Sequence, residues 1–191
     1  MFDRDKIIEE LKKVIKKSRF EHTLGVEEKA VELCSIYGED TEKGSLAALL
    51  HDYAKYVDDE TMLQYAERFG IEVDDVYAAS PNLLHGPVGA ELVREKLGIT
   101  DDDILNAIRY HTVGRPGMSL LEKIIYIADM TEKGRDFEGV GILREASKRD
   151  IDEAMILCID QTVTYTLMRR KKIHINSIQT YNYIIETNGG A

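Results

Sequence analysis

Cysteine occurs twice in this sequence, as Cys34 and Cys158, each isolated inside a helical pattern. Two such residues make neither a disulfide framework nor a thiolate metal knuckle, and they fit a reducing cytosol. Tryptophan is absent. No run approaches the ~18 apolar residues of a membrane span. The opening MFDRDKIIEELKKVIKK alternates charge and aliphatics without the apolar stretch of a signal peptide, so a soluble cytoplasmic protein is expected. Basic excess is missing too: 25 Lys and Arg stand against 35 Asp and Glu, a formal net charge of −10. A nucleic-acid duplex needs a basic footprint and is disfavoured as a partner. An anionic small molecule is compatible if metal ions supply local positive charge. Strand-like alternation, internal repeats, low-complexity tracts and a Walker-type phosphate loop are lacking as well.

What the sequence holds instead is helical periodicity throughout. At 191 residues, 43% hydrophobic and 31% charged, it suits one domain over residues 1–191 with a sizeable core. Apolar residues three or four apart, with glycines near the stops, predict an all-α protein of about nine helices. They fall at roughly 3–17, 20–37, 41–55, 59–69, 87–97, 101–111, 119–133, 150–171 and 176–187. Ser119 with Glu122 reads as a capping box, and Pro87 suits a first helical turn. Segments 78–86, 112–118 and 134–141 read as loops.

The doublet His51-Asp52 closes the apolar run Leu46-Ala47-Ala48-Leu49-Leu50. A buried carboxylate beside an imidazole costs several kcal/mol unless a cation or hydrogen bonds compensate it. A bound metal is the simplest compensation. His111 continues the stripe of Ile104, Ala107 and Ile108, and Asp129 continues that of Leu121 and Ile125, so each is a polar group on an apolar face. His22 lies one turn before Val26, and His85 sits in Leu84-His85-Gly86-Pro87. Taken singly, a histidine on an apolar face is more often a hydrogen-bonded core residue than a ligand, and a lone buried aspartate is often a cap or ion-pair partner. Adjacent helical side chains diverge by ~100°, so the doublet requires two satisfied buried groups, and one metal at a helix end satisfies both. Six such groups from five segments favour a metal site inside a helical bundle.

The order His22, His51-Asp52, Asp129 resembles the HD superfamily of metal-dependent phosphohydrolases. The wording EHTLGV (21–26), HDYAK (51–55), LLHGPVGA (83–90) and YHTVGRPGMSLLEKIIYIADMTEKGRDF (110–137) resembles one branch, the bacterial YqeK family of symmetrical diadenosine tetraphosphate hydrolases. The similarity runs from about residue 7 to 185. The resemblance implies an HD-domain bundle around an internal metal site, with His22, His51, Asp52 and Asp129 holding iron, one or two ions per chain. Imidazole and carboxylate without thiolate suit iron or manganese, and zinc stays open on ligand type. The resemblance further implies that His22, Asp52, His85, His111, Thr112, Asp129 and Arg135 border the nucleotide. His174, Ile175, Asn176, Ser177, Ile178 and Gln179 would line its nucleoside pocket. Whether His85 and His111 complete a second metal site or hold a phosphate is open at this level.

Lys55, one turn after His51, reads as a phosphate-neutralising catalytic candidate and equally as a solvated lysine. Arg115 and Arg135 flank the Asp129 helix in loops, where guanidinium capture of phosphate is natural, Arg135 being the stronger candidate. Without the resemblance, Asn176 and Ser177 would read as caps of the last helix. A metal lowers the pKa of bound water and stabilises phosphoryl oxyanions, so no nucleophilic side chain is required. Asp52 is the candidate for orienting or deprotonating the attacking water. The expected reaction is hydrolysis of a dinucleoside tetraphosphate to two diphosphates, ADP from the diadenosine compound. The alternatives are an HD phosphohydrolase for another nucleotide and a nucleotide-sensing module without turnover. A homodimer is an open expectation.

Overall fold

The computed structural model describes residues 2–188. Among these the fold is all-α, with eleven α-helices: α1 Arg4–Val14, α2 Lys17–Tyr37, α3 Thr41–Leu50, α4 Asp59–Arg68, α5 Asp75–Ala79, α6 His85–Leu97, α7 Asp102–Tyr110, α8 Leu120–Thr131, α9 Val140–Arg149, α10 Ile151–Met168 and α11 Ile175–Asn188. A 3-10 turn, Pro81–Leu84, leads into α6. The count therefore exceeds the nine read from periodicity, for local reasons. α5 has only five residues, too few to show a period. α9 buries the narrow stripe Leu143, Ala146 and Ser147 and begins between Gly139 and Gly141, which read as a loop. The expected helix 41–55 stops at Leu50, and 150–171 stops at Met168.

The acidic excess is partly structural. Asp3, Asp40, Asp58, Asp74, Asp101 and Asp150 each N-cap a helix, the carboxylate accepting backbone N–H groups of the first turn. Each such cap contributes ~1 kcal/mol. Ser119 does the same for α8 by accepting from the Glu122 N–H. The Glu122 side chain does not return the bond, however; it is buried and holds the Arg115 guanidinium at 2.9 and 2.6 Å.

α8 runs through the centre of the molecule against α2, α3, α7, α9 and α10, with Leu121, Ile124, Ile125, Tyr126, Ile127 and Ala128 all buried. Burying one such aliphatic side chain contributes about 1.5–3 kcal/mol, so this helix is a stiff support for whatever it carries. It carries Asp129. α2 packs on α3 and α8, and α6 on α7, which brings the end of α3, the end of α7 and the first turn of α6 to one region. No helix among the described residues is long and apolar enough to cross a membrane.

Candidate metal centre

α3 ends one residue before the doublet, and the chain continues as tight turns: Tyr53 N–H donates to Leu50, Lys55 to Asp52 and Val57 to Ala54, each three residues back. The winding thus changes where His51 and Asp52 sit, and both side chains turn into the same buried space. His51 Nε2 lies 3.1 Å from Asp52 Oδ2. From α2, His22 Nε2 reaches 2.9 Å from Asp129 Oδ1. His85 and His111 place their Nε2 atoms 3.0 Å apart, with His85 Nε2 also 3.0 Å from Asp52 Oδ1. Two overlapping groups that could hold a metal ion result, His22–His51–Asp129 and His51–Asp52–His111, with donor atoms inside each group lying within 4.8 Å of one another.

The donors have a common orientation. Nδ1 of His51, His85 and His111 lies 2.6, 2.5 and 2.7 Å from the carbonyl oxygens of Ala48, Asn82 and Ile108, each three residues back. A carbonyl only accepts, so Nδ1 carries the proton and donates, and Nε2 presents a lone pair to the interior. His22 Nδ1 is held by Glu132 Oε1 at 3.0 Å. Four imidazole lone pairs and two carboxylates therefore converge, and His22 Nε2, His51 Nε2 and Asp52 Oδ1 are buried without a hydrogen-bond partner. Such a set is stable around a cation and repulsive around nothing, so the donor chemistry fits a divalent metal.

The electrostatics of the side chains express the same need. Burial pushes the His51 pKa down, but Asp52, Asp129 and the Ala48 carbonyl together outweigh it and the net direction is up. Burial raises Asp52 and Asp129, and neighbouring positive charge overcomes it: His51 chiefly holds Asp52, and His22 and Arg135 hold Asp129, well below the usual carboxylate range. His85 is driven down to about 4, chiefly by burial, and is neutral near pH 7 as a ligand must be. Burial also lowers Lys55, whose ammonium sits 3.2 Å from His85 Nε2 and 3.7 Å from Asp52 Oδ1.

Residues that the sequence did not single out hold this cluster in place. Glu132, buried one turn after Asp129, bonds His22 with one carboxylate oxygen and accepts the Gly134 N–H with the other. Gly25 makes room for it, since a Cβ there would lie 2.5 Å from Glu132 Oε2. Arg144 of α9 binds the carbonyls of Thr131, Glu132 and Arg135 at 2.9, 2.7 and 2.8 Å and so fixes the turn carrying both Glu132 and Arg135. Gly86 lets α6 meet α7, because a Cβ there would lie 2.7 Å from the Arg109 carbonyl. Arg19 pairs with Asp52 at 2.9 Å. The three-residue spacings Arg19–His22–Gly25 and Asp129–Glu132 were the available signal.

Gly25→Ala is accordingly expected to weaken metal binding about 10–100-fold by displacing the carboxylate that orients His22, while far-UV circular dichroism stays helical. Isothermal titration with Mn²⁺ checks this. Wild-type affinity in the variant would show that His22 needs no such support.

Arg135 binds Asp129 through both its carbonyl and its carboxylate, at 2.6 and 2.5 Å. Arg19, Lys55 and Arg135 border a cleft of about 590 Å³ that opens at His22. His174, Ile175 and Asn176 lie elsewhere, in a cleft of about 540 Å³ with Tyr77, Pro87 and Tyr110, where Tyr77 and His174 pack with ring centroids 4.5 Å apart. In the same segment Ser177 is buried and donates to the Val113 carbonyl, while Ile178 and Gln179 are exposed. Thr112 Oγ1 is buried without a partner. Arg115 lies over the Tyr110 ring, 4.7 Å from its centroid, and is committed to Glu122.

The HD domain family model matches residues 19–134, which contain all six converging side chains. The chain belongs to the HD-domain family. Within it, the curated symmetrical bis(5′-nucleosyl)-tetraphosphatase of Halalkalibacterium halodurans is 42% identical over 183 residues, covering 96% of this chain and 97% of that one. The Bacillus subtilis protein of the same description is 39% identical over 183 residues, covering 96% and 98%. The crystal structure of a Clostridium acetobutylicum protein described as a predicted HD superfamily hydrolase involved in NAD metabolism superposes with a TM-score of 0.94. It is 43% identical and covers 98% of this chain and 99% of that one. This HD protein is thus a hydrolase of the symmetrical tetraphosphatase branch, alike in fold, length and sequence.

Proposed function

We propose that the protein hydrolyses diadenosine tetraphosphate and related dinucleoside tetraphosphates at the central bridge, releasing two nucleoside diphosphates. The observation that carries the reading is the convergence of His22, His51, Asp52, His85, His111 and Asp129, each imidazole turned with Nε2 inward. His22, His51, Asp52 and Asp129 would hold the first metal, for which we propose iron, with manganese an alternative on the same ligand chemistry. His111 and His85 share Asp52 and would complete a second position. Bound there, metal supplies Lewis acidity that lowers the pKa of water and neutralises phosphate charge.

The side chains supply the rest. Asp52 Oδ1, buried and without a hydrogen-bond donor, is the acceptor that orients the attacking water and takes its proton. Arg135 and Lys55 neutralise phosphate oxygens, and Thr112 offers a free hydroxyl beside His111. The segment 174–179 would hold the nucleoside of one half. Two buried free cysteines agree with our placing this single-domain activity in the cytoplasm.

The register of cleavage is the test. If one nucleoside diphosphate half is held between Arg135 and the 174–179 segment, the second phosphorus from that nucleoside faces the water. Hydrolysis in oxygen-18 water is then expected to give two ADP molecules with label in one of the two, read by mass spectrometry. An AMP–ATP product pair would refute the register, and absence of turnover in metal-loaded protein would refute the activity.

A further inference from the structure

A symmetrically cleaved substrate has two identical halves, so the metal cluster needs a place for a nucleoside diphosphate on each side. The cleft containing Pro87, Tyr110 and His174 adjoins His85 and His111 along the chain and offers aromatic rings. The other cleft opens at His22 and has a different character. Three cations line it, Arg19, Lys55 and Arg135, in a chain whose net charge is −10. Each is poised on a carboxylate of the cluster: Arg19 at 2.9 Å and Lys55 at 3.7 Å from Asp52, Arg135 at 2.5 Å from Asp129. With Asp52 and Asp129 engaged by a metal, these cations would be free for phosphate oxygens. Among the described residues Glu132 is the one carboxylate in the wall, and it is turned to His22 and Gly134.

The same cleft has an aromatic rim. Tyr56 is 41% exposed although it sits beside buried Tyr53 and Ala54, and the Lys16 ammonium lies 4.6 Å from its ring centroid. Inorganic phosphate has no use for such a ring, whereas a nucleobase stacks on it. At about 590 Å³ the cleft falls in the range of small-molecule sites.

We propose that this cleft is the subsite of the second nucleoside diphosphate, with Arg19 and Lys55 on its phosphates and Tyr56 under its base, while Arg135 at its edge stays with the first half. The assignment rests on the dinucleoside-tetraphosphate reading above. In that reaction the water oxygen bonds to phosphorus of one half and the bridging P–O bond breaks. The new oxyanion then forms on the departing half, beside Arg19 and Lys55, where it is stabilised most.

Competitive inhibition constants of two probes test the subsite: a dinucleoside tetraphosphate with methylene at the central bridge, and adenosine 5′-tetraphosphate, which lacks the second nucleoside. Tyr56→Ala is expected to raise the constant of the first about tenfold or more, and by at least about fivefold more than that of the second, the effect of losing one base–aromatic stack. Arg19→Gln is expected to raise both by similar factors. Equal effects of Tyr56→Ala on the two probes, or none, would overturn the assignment, as would an indifferent Arg19→Gln. Wild-type protein that fails to bind the methylene analogue would instead sink the functional reading itself.

Discussion

Replacing Asp52 by alanine is expected to abolish turnover, with kcat falling at least ~10³-fold, and to strip most of the metal from purified protein. Asp52 is 2% exposed and, among the described residues, is in contact with His51, His85, His111, Arg19 and Lys55 together. Its removal takes away the bridging anion and leaves four imidazole nitrogens facing one another. The chain should nevertheless fold, because the two cations it releases line an open cleft and can turn to water, while the core around α8 is untouched. Metal analysis and a product assay on anaerobically purified variant, beside circular dichroism, check the three parts. Wild-type turnover by metal-free Asp52→Ala would end the metal mechanism. A nucleotide sensor without turnover would show ligand binding in the wild type and no hydrolysis to lose.

The residues legible in the sequence were those whose chemistry conflicts with their surroundings. His51-Asp52 at the end of an apolar run and Asp129 on an aliphatic stripe announce themselves because burial without compensation is costly. The supports stayed hidden because their partners are close only in three dimensions. Glu132 reads as one more surface acid until His22, 110 residues away in the chain, is seen on its carboxylate. Arg19 disappears into a polar run, and Arg144 lies on a helix whose glycine-flanked start and narrow apolar face read as a loop. The same blindness affects Arg115, a plausible phosphate ligand by position, which is bound bidentately to buried Glu122. Helix starts were readable at Asp40, Asp58, Asp101 and Asp150, where a capping carboxylate precedes the apolar period. Helix ends were less so at Leu50 and Met168, which carry no glycine stop.

Adding divalent metal to metal-free protein is expected to raise the melting temperature by roughly 8–16 °C. The figure follows from linkage: a ligand that binds only the native state at ~1,000 times its dissociation constant stabilises by about 4 kcal/mol, and each kcal/mol moves a domain of this size by about 2–4 °C. The native state binds selectively because the ligands come from α2, the end of α3, the start of α6, the end of α7 and α8, which only the folded bundle assembles. Unfolding scatters His22 and Asp129 more than a hundred residues apart along the chain and leaves no comparable site. Differential scanning calorimetry with Mn²⁺, or Fe²⁺ under anaerobic conditions, measures the shift, and its rise with the logarithm of free metal distinguishes binding from a salt effect. Asp52→Ala should show a much smaller shift at the same metal concentration, since it removes the carboxylate shared by His51, His85 and His111. Equal shifts in the variant and the wild type would place the bound ion outside this cluster, and no shift in either would mean that the convergent imidazoles serve some other cation.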